Sequence, residues 1–235
     1  MISKRLPIRV VCATKKNRAD FFSNTPTGLS LEKFSNVTEA EVLLHTENAR
    51  GLSELYNLAI EEARDYPCIL VFIHDDIEIL DFFWGERVRN GLQNFDIVGL
   101  AGNIRREAFQ PSWYFKQIQS SGFVIDDKQN LSGTVGHTFG NGEKSLSFYG
   151  ETGQQCKLID GLFIAANSEI LNRNNVRFDA RFAFEFYDMD FCRSAEIGGL
   201  TIGTIGLSVY HSSGGNYDDP NWLVNYRAYI DKRGR

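Results

Sequence analysis

Two adjacent carboxylates follow the most apolar stretch of the chain. Residues 68–73 (Cys-Ile-Leu-Val-Phe-Ile) lead directly into His74, Asp75 and Asp76. A continuous apolar run of this length predicts a strand buried on both faces, as in a parallel sheet. Ligands of open α/β sheets bind outside the carboxyl ends of the strands, and Mg²⁺ and Mn²⁺ prefer carboxylate oxygens. The pair therefore predicts a metal site facing a diphosphate; the alternative is that one aspartate caps a helix and the other is solvated.

A third candidate carboxylate opens a predicted helix in the last quarter of the chain. Asp188 shares a helical face with the apolar Phe191 and Cys192, so we expect it to point along the core side. A helix N-terminus lowers the pKa of a carboxylate, which would keep Asp188 ionised and able to accept a proton. Asp190 is expected to point elsewhere and to pair with Arg193. The alternative is that Asp188 is only an N-cap.

Two further polar features lie where predicted strands end. His211 follows the last predicted strand, where a histidine is either a metal ligand or a polar residue at the core boundary. Glu47 and Asn48 follow the second predicted strand, and Asn57 lies in the helix that comes next. Their side chains could read a base and a ribose; the alternative is that Asn48 caps the helix.

These groups depend on alternating strands and helices for their positions. The predicted strands are 8–13, 41–45, 68–74, 96–102, 157–166 and 200–210, and the predicted helices are 51–64, 80–92, 168–173 and 188–197. Residues 14–36 have no clean periodicity and predict a long functional loop, whereas 104–155 predict hairpins or a loop-rich insertion. The expected fold class is α/β, with a mostly parallel central sheet flanked by helices.

In their order and spacing, these motifs resemble the GT-A glycosyltransferases, specifically the family-2-like group. The matching segments are Asn48-Ala49-Arg50-Gly51 with Asn57, His74-Asp75-Asp76, Asp160-Gly161, Tyr187-Asp188-Met189-Asp190 and His211. The match covers most of the chain, from Ile8 to His211. It departs where His74 replaces the first aspartate of the family's Asp-x-Asp motif and where Tyr187 replaces a glutamate.

The resemblance implies a metal-dependent inverting glycosyltransferase, which moves a sugar from a nucleotide-diphosphate sugar to an acceptor hydroxyl. It implies Asp188 as the base, and Mn²⁺ or Mg²⁺ as a cofactor held by Asp76, His211 and His74. The implied nucleotide-binding residues are Ala13, Thr14, Glu47, Asn48, Asn57 and Asp75. The implied sugar- and acceptor-binding residues are Asp160, Gly161, Trp113 and Tyr187, with aromatic core packing as the alternative for the tryptophan. The expected acceptor is a saccharide or a lipid-linked saccharide, as in bacterial surface polysaccharide synthesis.

Two other functions stay open at this point. A sugar-phosphate nucleotidyltransferase also combines an α/β sheet with a metal-binding carboxylate. Against it, residues 13–18 (Ala-Thr-Lys-Lys-Asn-Arg) lack the glycines of a phosphate-binding loop. The substitution at His74 keeps open a catalytically inert module that binds a nucleotide or a carbohydrate.

Composition bounds the remaining properties. The 235 residues suffice for one large α/β domain, divided into a nucleotide-binding half (1–103), the insertion (104–155) and an acceptor and catalytic half (156–235). The net charge of -5 argues against non-specific nucleic-acid binding. The four cysteines form no CxxC pair and are expected to be buried thiols of a cytoplasmic protein. No apolar run reaches the ~20 residues of a membrane span, so only peripheral contact with the inner membrane face stays open.

Overall fold

The computed structural model describes residues 5–213 and 220–234, which form two mixed β-sheets, a separate hairpin and flanking helices. In chain order the strands are β1 (Ile8–Ala13), β2 (Ala40–His45), β3 (Ile69–Ile73), β4 (Ile77–Ile79), β5 (Ile97–Gly99), β6 (Ala101–Asn103), β7 (Phe115–Gln119), β8 (Gly122–Ile125), β9 (Leu131–Thr138), β10 (Lys144–Gly150), β11 (Gln155–Cys156), β12 (Leu158–Ile159), β13 (Phe163–Asn167), β14 (Ile202–Thr204) and β15 (Val209–His211). The α-helices are α1 (Arg18–Asn24), α2 (Pro26–Lys33), α3 (Leu52–Glu62), α4 (Trp84–Gly91), α5 (Ser168–Arg173), α6 (Tyr187–Ile197) and α7 (Pro220–Arg233).

A parallel strand–helix–strand unit leads to the acidic pair. β1 pairs in parallel with β2 on one side and with β3 on the other. α3 buries the apolar face that its spacing predicts, including Leu55 and Tyr56, and packs against β1 and β3. Every residue of β3 is buried, as the continuous apolar run predicts. The carboxyl end of β3 therefore delivers the His-Asp-Asp segment to the edge of the sheet.

The expectation of a mostly parallel sheet is wrong. The larger sheet runs β11-β14-β5-β13-β3-β1-β2, and β13 is antiparallel to both of its neighbours. The smaller sheet runs β12-β6-β9-β15-β4, with β10 paired to β9, and it also combines parallel and antiparallel pairs. A strand buried on both faces is apolar throughout in either direction, so the residues of β13 do not report its orientation.

Three stretches predicted as single strands each form two short strands, one in each sheet. Residues 96–102 supply β5 to the larger sheet and β6 to the smaller one. In the same way, 157–166 supplies β12 and β13, and 200–210 supplies β14 and β15. Hydrophobicity does not mark the first two breaks, because the strand residues on both sides of them are buried, whereas the third break contains the exposed Gly206 and Ser208. The middle break places Asp160 and Gly161 where the two sheets meet.

The prediction of a long loop over 14–36 is also wrong, because two short helices fill it. Asn17 caps α1 by accepting from the Asp20 N–H, and Thr25 caps α2 by accepting from the Gly28 N–H. These helices are too short to show a hydrophobic periodicity, so only their N-cap residues indicate them in the sequence. In α2, the fully buried Thr27 donates to the His74 carbonyl oxygen at 2.6 Å, which ties this segment to the acidic loop.

Hydrophobic periodicity does not predict α7, which is joined to α6 by buried ion pairs. Asp190 is fully buried and pairs with Lys232 and Arg233, so the expected pair with Arg193 is wrong. Arg193 pairs with Glu196 instead. Helical spacing identifies only local neighbours, whereas the two cations of α7 compensate for the burial of the carboxylate.

The other local predictions are largely confirmed. Residues 104–155 form the β7–β8 and β9–β10 hairpins, although β9 also joins the smaller sheet. The helix predicted over 80–92 begins later, because Asp81 accepts from the Phe83 N–H and forms a turn first. The cysteines are buried and free. In the described ranges, the helices are too short or too polar to cross a bilayer.

Candidate active site

A cavity of about 360 Å³ lies at the edge where the His-Asp-Asp loop, the break after β12 and the start of α6 meet. This volume lies within the usual range for small-molecule sites. The predicted site residues that line it are Ala13, His74, Asp75, Asp76, Trp113, Asp160, Gly161, Tyr187, Asp188 and His211. Glu185 adds another carboxylate, and none of the described lining residues is Lys or Arg. The cavity is therefore rich in negative charge.

One wall of the cavity holds a cluster of possible metal ligands. Donor atoms of His74, Asp76 and His211 lie within 4.8 Å of one another. The first two residues follow β3, and His211 ends β15, whose antiparallel pairing places it opposite Ile77 of β4. Asp76 Oδ2 lies 3.4 Å from His211 Nε2. The structure thus brings together the three residues that the resemblance implies as metal ligands.

Burial and mutual charge set the ionisation of this cluster. Burial opposes the charge on Asp76, but the hydrogen bond from His211 and the positive charge of His211 outweigh it, so the pKa of Asp76 is lowered. Burial also opposes the charge on His211, but its hydrogen bond to Asp76 and the charge of Asp76 raise the pKa of His211. Burial lowers the pKa of His74, which favours the neutral imidazole that binds metals.

The cluster fits a divalent cation. Asp76 Oδ1 is buried without a hydrogen-bond partner among the described residues. Such an oxygen is unfavourable in a folded protein, and a cation would supply the partner that it lacks. Two imidazoles and one carboxylate also form a donor set that transition metals accept.

Asp75, the other half of the acidic pair, is held by the end of β1. The buried Thr14 donates from its hydroxyl to Asp75 Oδ2 at 2.6 Å. The same hydroxyl oxygen accepts from the Lys16 N–H, and the Thr14 N–H donates to the His45 carbonyl oxygen. Thr14 therefore fixes the orientation of Asp75, which lines the cavity, while Thr14 itself lies behind it.

The break after β12 forms the second wall. Trp113 Nε1 donates to Asp160 Oδ2 at 2.9 Å, and the Gly161 N–H donates to Asp188 Oδ2 at 3.0 Å. The Tyr187 hydroxyl donates to the Gly161 carbonyl oxygen at 2.8 Å. A Cβ atom on Gly161 would overlap this hydroxyl, so only glycine allows the close approach.

The pKa of Asp188 differs from the expectation. Burial, followed by the charge of nearby Asp160, raises the pKa of Asp188 from 3.8 to about 7, although the N–H groups of Met189 and Gly161 favour its ionised form. The prediction of a lowered pKa at the helix N-terminus is therefore wrong, because desolvation and a neighbouring carboxylate outweigh the helix dipole. A carboxyl group with this pKa can take up or release a proton near neutral pH.

Backbone strain lies two residues before this carboxylate, at Phe186. Phe186, the N-cap of α6, has a left-handed conformation with φ 64°, which is uncommon for a residue other than glycine. Its ring packs 5.1 Å from Trp222 and stacks 5.4 Å from Tyr229. Aromatic packing against α7 therefore holds the strained turn that begins the Tyr-Asp segment.

Four predicted nucleotide-binding residues lie outside the cavity: Thr14, which lies behind it, and Glu47, Asn48 and Asn57. The side chain of Asn48 bonds to the backbone of Arg50, and α3 has Gly51 as its N-cap, so the alternative of helix capping by Asn48 is wrong. Asn57 uses its amide to bond the backbone N–H and carbonyl of Phe178. Glu47 lies in a left-handed turn with φ 48°. Their nucleotide-binding role stays a prediction.

The cavity also contains residues that the sequence patterns do not identify. His137 on β9 lies opposite His211 in a parallel pairing, and its Nε2 is 3.3 Å from the Tyr149 hydroxyl. Tyr56 lines the cavity with a buried hydroxyl that has no partner among the described residues. Helical spacing assigns Tyr56 to the apolar face of α3, and no local pattern reports the long-range pairing of β9 with β15.

No family model matches the chain, and no curated protein is significantly similar to it. Among solved structures, S. aureus TarS 1-349 is 12% identical, with a TM-score of 0.51, over 96% of this chain and 64% of TarS 1-349. The same protein in complex with UDP is 11% identical, with a TM-score of 0.50 and the same coverage. The catalytic domain of Drosophila beta1,4galactosyltransferase 7, in complex with xylobiose, is 10% identical over 85% of this chain and 64% of that domain, with a TM-score of 0.45.

The two TarS structures define the class of fold. At such low identity the likeness shows the fold alone, which is a GT-A-like glycosyltransferase fold. The chain spans about two thirds of the length of TarS 1-349, with 64% covered. The GT-A expectation is thus confirmed for the fold, whereas membership of the family-2-like group stays a prediction.

Proposed function

We propose that this protein is a metal-dependent inverting glycosyltransferase that uses a nucleotide-diphosphate sugar as donor. One observation carries the proposal: a single cavity is lined both by the His74, Asp76 and His211 cluster and by Asp188, whose pKa is about 7. The cluster offers donor atoms to a cation, and the separate carboxyl group can accept a proton near neutral pH.

The charge of the cavity supports the metal dependence. A diphosphate carries negative charge into a site whose described lining includes several carboxylates and neither Lys nor Arg. Held by His74, Asp76 and His211, a divalent cation would neutralise charge on the leaving diphosphate. Because two of these donors are imidazoles, the set favours Mn²⁺ over Mg²⁺, which prefers oxygen ligands.

Asp188 supplies the base. Its carboxylate accepts the proton of the acceptor hydroxyl as the oxygen attacks the anomeric carbon, while the bond from that carbon to the diphosphate breaks. The N–H groups of Gly161 and Met189 hold its two oxygens, at 3.0 Å and 2.8 Å, and fix its orientation for this transfer. The raised pKa makes Asp188 a stronger base than an exposed aspartate.

The other cavity residues bind and orient the substrates. Asp75 lies near the nucleotide, and Asp160 with Gly161 contacts the transferred sugar. Trp113 and Tyr149, whose rings meet edge to face at 4.9 Å, offer aromatic faces to an acceptor sugar. Because TarS 1-349 has been crystallised in complex with UDP, UDP-sugars are the first donors to test. A saccharide or lipid-linked acceptor in surface polysaccharide synthesis, at the cytoplasmic face of a membrane, completes the proposal.

A thermal-shift screen of UDP-, GDP-, dTDP- and CMP-sugars, each with and without Mn²⁺, tests the donor and the metal together. A donor that binds only the folded protein raises its melting temperature. We expect one nucleotide class to stabilise the protein in the presence of Mn²⁺, and Asp76→Asn to abolish the metal dependence. Asp127→Asn, which changes an exposed carboxylate paired with Lys116, serves as the matched control.

Turnover then separates an enzyme from a binding module. With the stabilising donor and a panel of saccharide acceptors, we expect release of the nucleoside diphosphate and formation of a new glycosidic bond. Binding without release would favour the inert module. A protein that no nucleotide sugar stabilises, with or without Mn²⁺, would contradict the proposed function.

A further inference from the structure

The hydroxyl of Tyr187 connects the two walls of the cavity. It lies 2.8 Å from the Gly161 carbonyl oxygen and 2.7 Å from Nε2 of His74. Tyr187 is only 3% exposed, and its ring packs against those of Tyr56 and Phe178. The hydroxyl therefore has a fixed position between a carbonyl of one wall and an imidazole of the other.

The number of available protons determines which atom donates in each of these two hydrogen bonds. Each short contact needs one proton, and the Tyr187 hydroxyl has a single proton to give. The Gly161 carbonyl oxygen can only accept, so the hydroxyl proton lies on that side. The contact to His74 is then satisfied only when Nε2 carries a proton and donates it to the Tyr187 oxygen.

The other nitrogen of His74 follows from this arrangement. A neutral imidazole has one N–H, so a proton on Nε2 leaves Nδ1 with a free lone pair. Nδ1 makes no hydrogen bond to the residues that the structure describes. Phe184 stacks on the ring of His74, with centroids 5.8 Å apart and planes 25° apart, which restricts rotation of the ring.

We infer that Tyr187 is a positioning residue, which holds His74 in the Nε2–H tautomer and so presents Nδ1 as a metal ligand. The metal half of this inference rests on the proposed function. Ligating histidines commonly donate their second N–H to an oxygen, which fixes the tautomer and the ring orientation. Here a tyrosine that directly precedes Asp188 fills that role.

Histidine NMR on the metal-free protein tests the tautomer directly. The chain has only four histidines, so ¹⁵N-histidine labelling with a His74→Gln variant for assignment isolates the His74 nitrogens. At about pH 8, where an ordinary imidazole is neutral, long-range ¹H–¹⁵N correlations distinguish the protonated nitrogen from the free one. We expect the proton of His74 on Nε2; a proton on Nδ1 in the unmodified protein would overturn the inference without any variant.

Tyr187→Phe tests the cause, because it removes the hydroxyl and keeps the ring. We expect the His74 proton to redistribute between the two nitrogens and the dissociation constant for Mn²⁺, measured by electron paramagnetic resonance, to rise 10- to 100-fold. Tyr149→Phe is the matched control. It also removes a cavity hydroxyl next to a histidine, His137, and should change neither the His74 tautomer nor the Mn²⁺ affinity.

The outcomes separate this inference from the proposed function. An unmodified protein that binds no Mn²⁺ would refute the proposed metal dependence, and the ligand-positioning role would fall with it. Normal Mn²⁺ binding combined with an unchanged tautomer or an unchanged affinity in a folded Tyr187→Phe variant would overturn the inference alone.

Discussion

The raised pKa of Asp188 makes the fold itself sensitive to pH. A carboxyl group whose pKa is higher in the folded state contributes stability below its ordinary pKa of 3.8 and loses that contribution as the pH rises through about 7. Each pKa unit corresponds to about 1.4 kcal/mol, so at about pH 8 the ionised group lowers the free energy of unfolding by up to about 4 kcal/mol. Asp188 is partly exposed to solvent, so this figure is an upper bound.

Replacing Asp188 by Asn removes this pH dependence. Relative to the unmodified protein, we expect the free energy of unfolding of Asp188→Asn to increase by up to about 2.5 kcal/mol between about pH 5 and about pH 8. The asparagine also lacks one acceptor for the Gly161 or Met189 N–H, at a cost of about 1 kcal/mol, but that loss is the same at every pH. The change with pH is therefore the quantity to measure.

Urea denaturation of the metal-free proteins across this range provides the assay. Asp179→Asn is the control, because the hydrogen bond from Arg181, with the help of Lys232, holds the pKa of Asp179 well below 3.8. Its stabilising effect is present throughout the range, so the difference between this variant and the unmodified protein should be constant. If the Asp188→Asn curve also runs parallel to that of the unmodified protein, the pKa is not raised and the argument from burial and Asp160 fails.

Three further substitutions probe the framework of the site. Gly161→Ala should lower the free energy of unfolding by about 1–3 kcal/mol in urea, because its methyl group overlaps the Tyr187 hydroxyl. Asp190→Asn should lower it by about 3–5 kcal/mol, because two cations of α7 lose the carboxylate that they share. Trp113→Phe should lower it by about 1–3 kcal/mol, because Asp160 loses the indole N–H as a donor.

Matched variants define what would contradict these expectations. Gly140→Ala is the control for the glycine, because nothing lies within 4 Å of the methyl group that it adds. Equal stabilities for the two alanine variants would mean that the cavity wall yields without strain. An Asp190→Asn protein as stable as its parent would show that α7 is not held by these ion pairs. Unchanged stability in Trp113→Phe would mean that water replaces the indole.

The sequence predicts those parts of the fold whose signals are local. β3 is a continuous apolar run, and α3 has an apolar face at helical spacing, so both follow from a short window. The sequence does not predict the direction of β13 or the breaks within 96–102, 157–166 and 200–210. Strand residues buried in either sheet are of the same apolar types, so they do not show which sheet they join.

The candidate site divides in the same way. His74, Asp76 and His211 are grouped as metal ligands by the resemblance, and all three lie at or just after the end of a predicted strand. The raised pKa of Asp188 could not be predicted from the sequence. Burial and the proximity of Asp160 are the largest causes of the increase, and both depend on the tertiary arrangement. His137 enters the cavity only through the pairing of β9 with β15, which no short window contains.

The broken strands have a consequence for how the molecule opens. Each of the three broken segments is hydrogen-bonded into both sheets within a few residues, so one sheet cannot separate while the other stays intact without pulling these segments apart. Amide protons of β5 and β6, on either side of Leu100, should therefore exchange with solvent at closely similar free energies of opening. The cavity lies at this junction, and it should lose its shape only when the whole domain unfolds in one cooperative step.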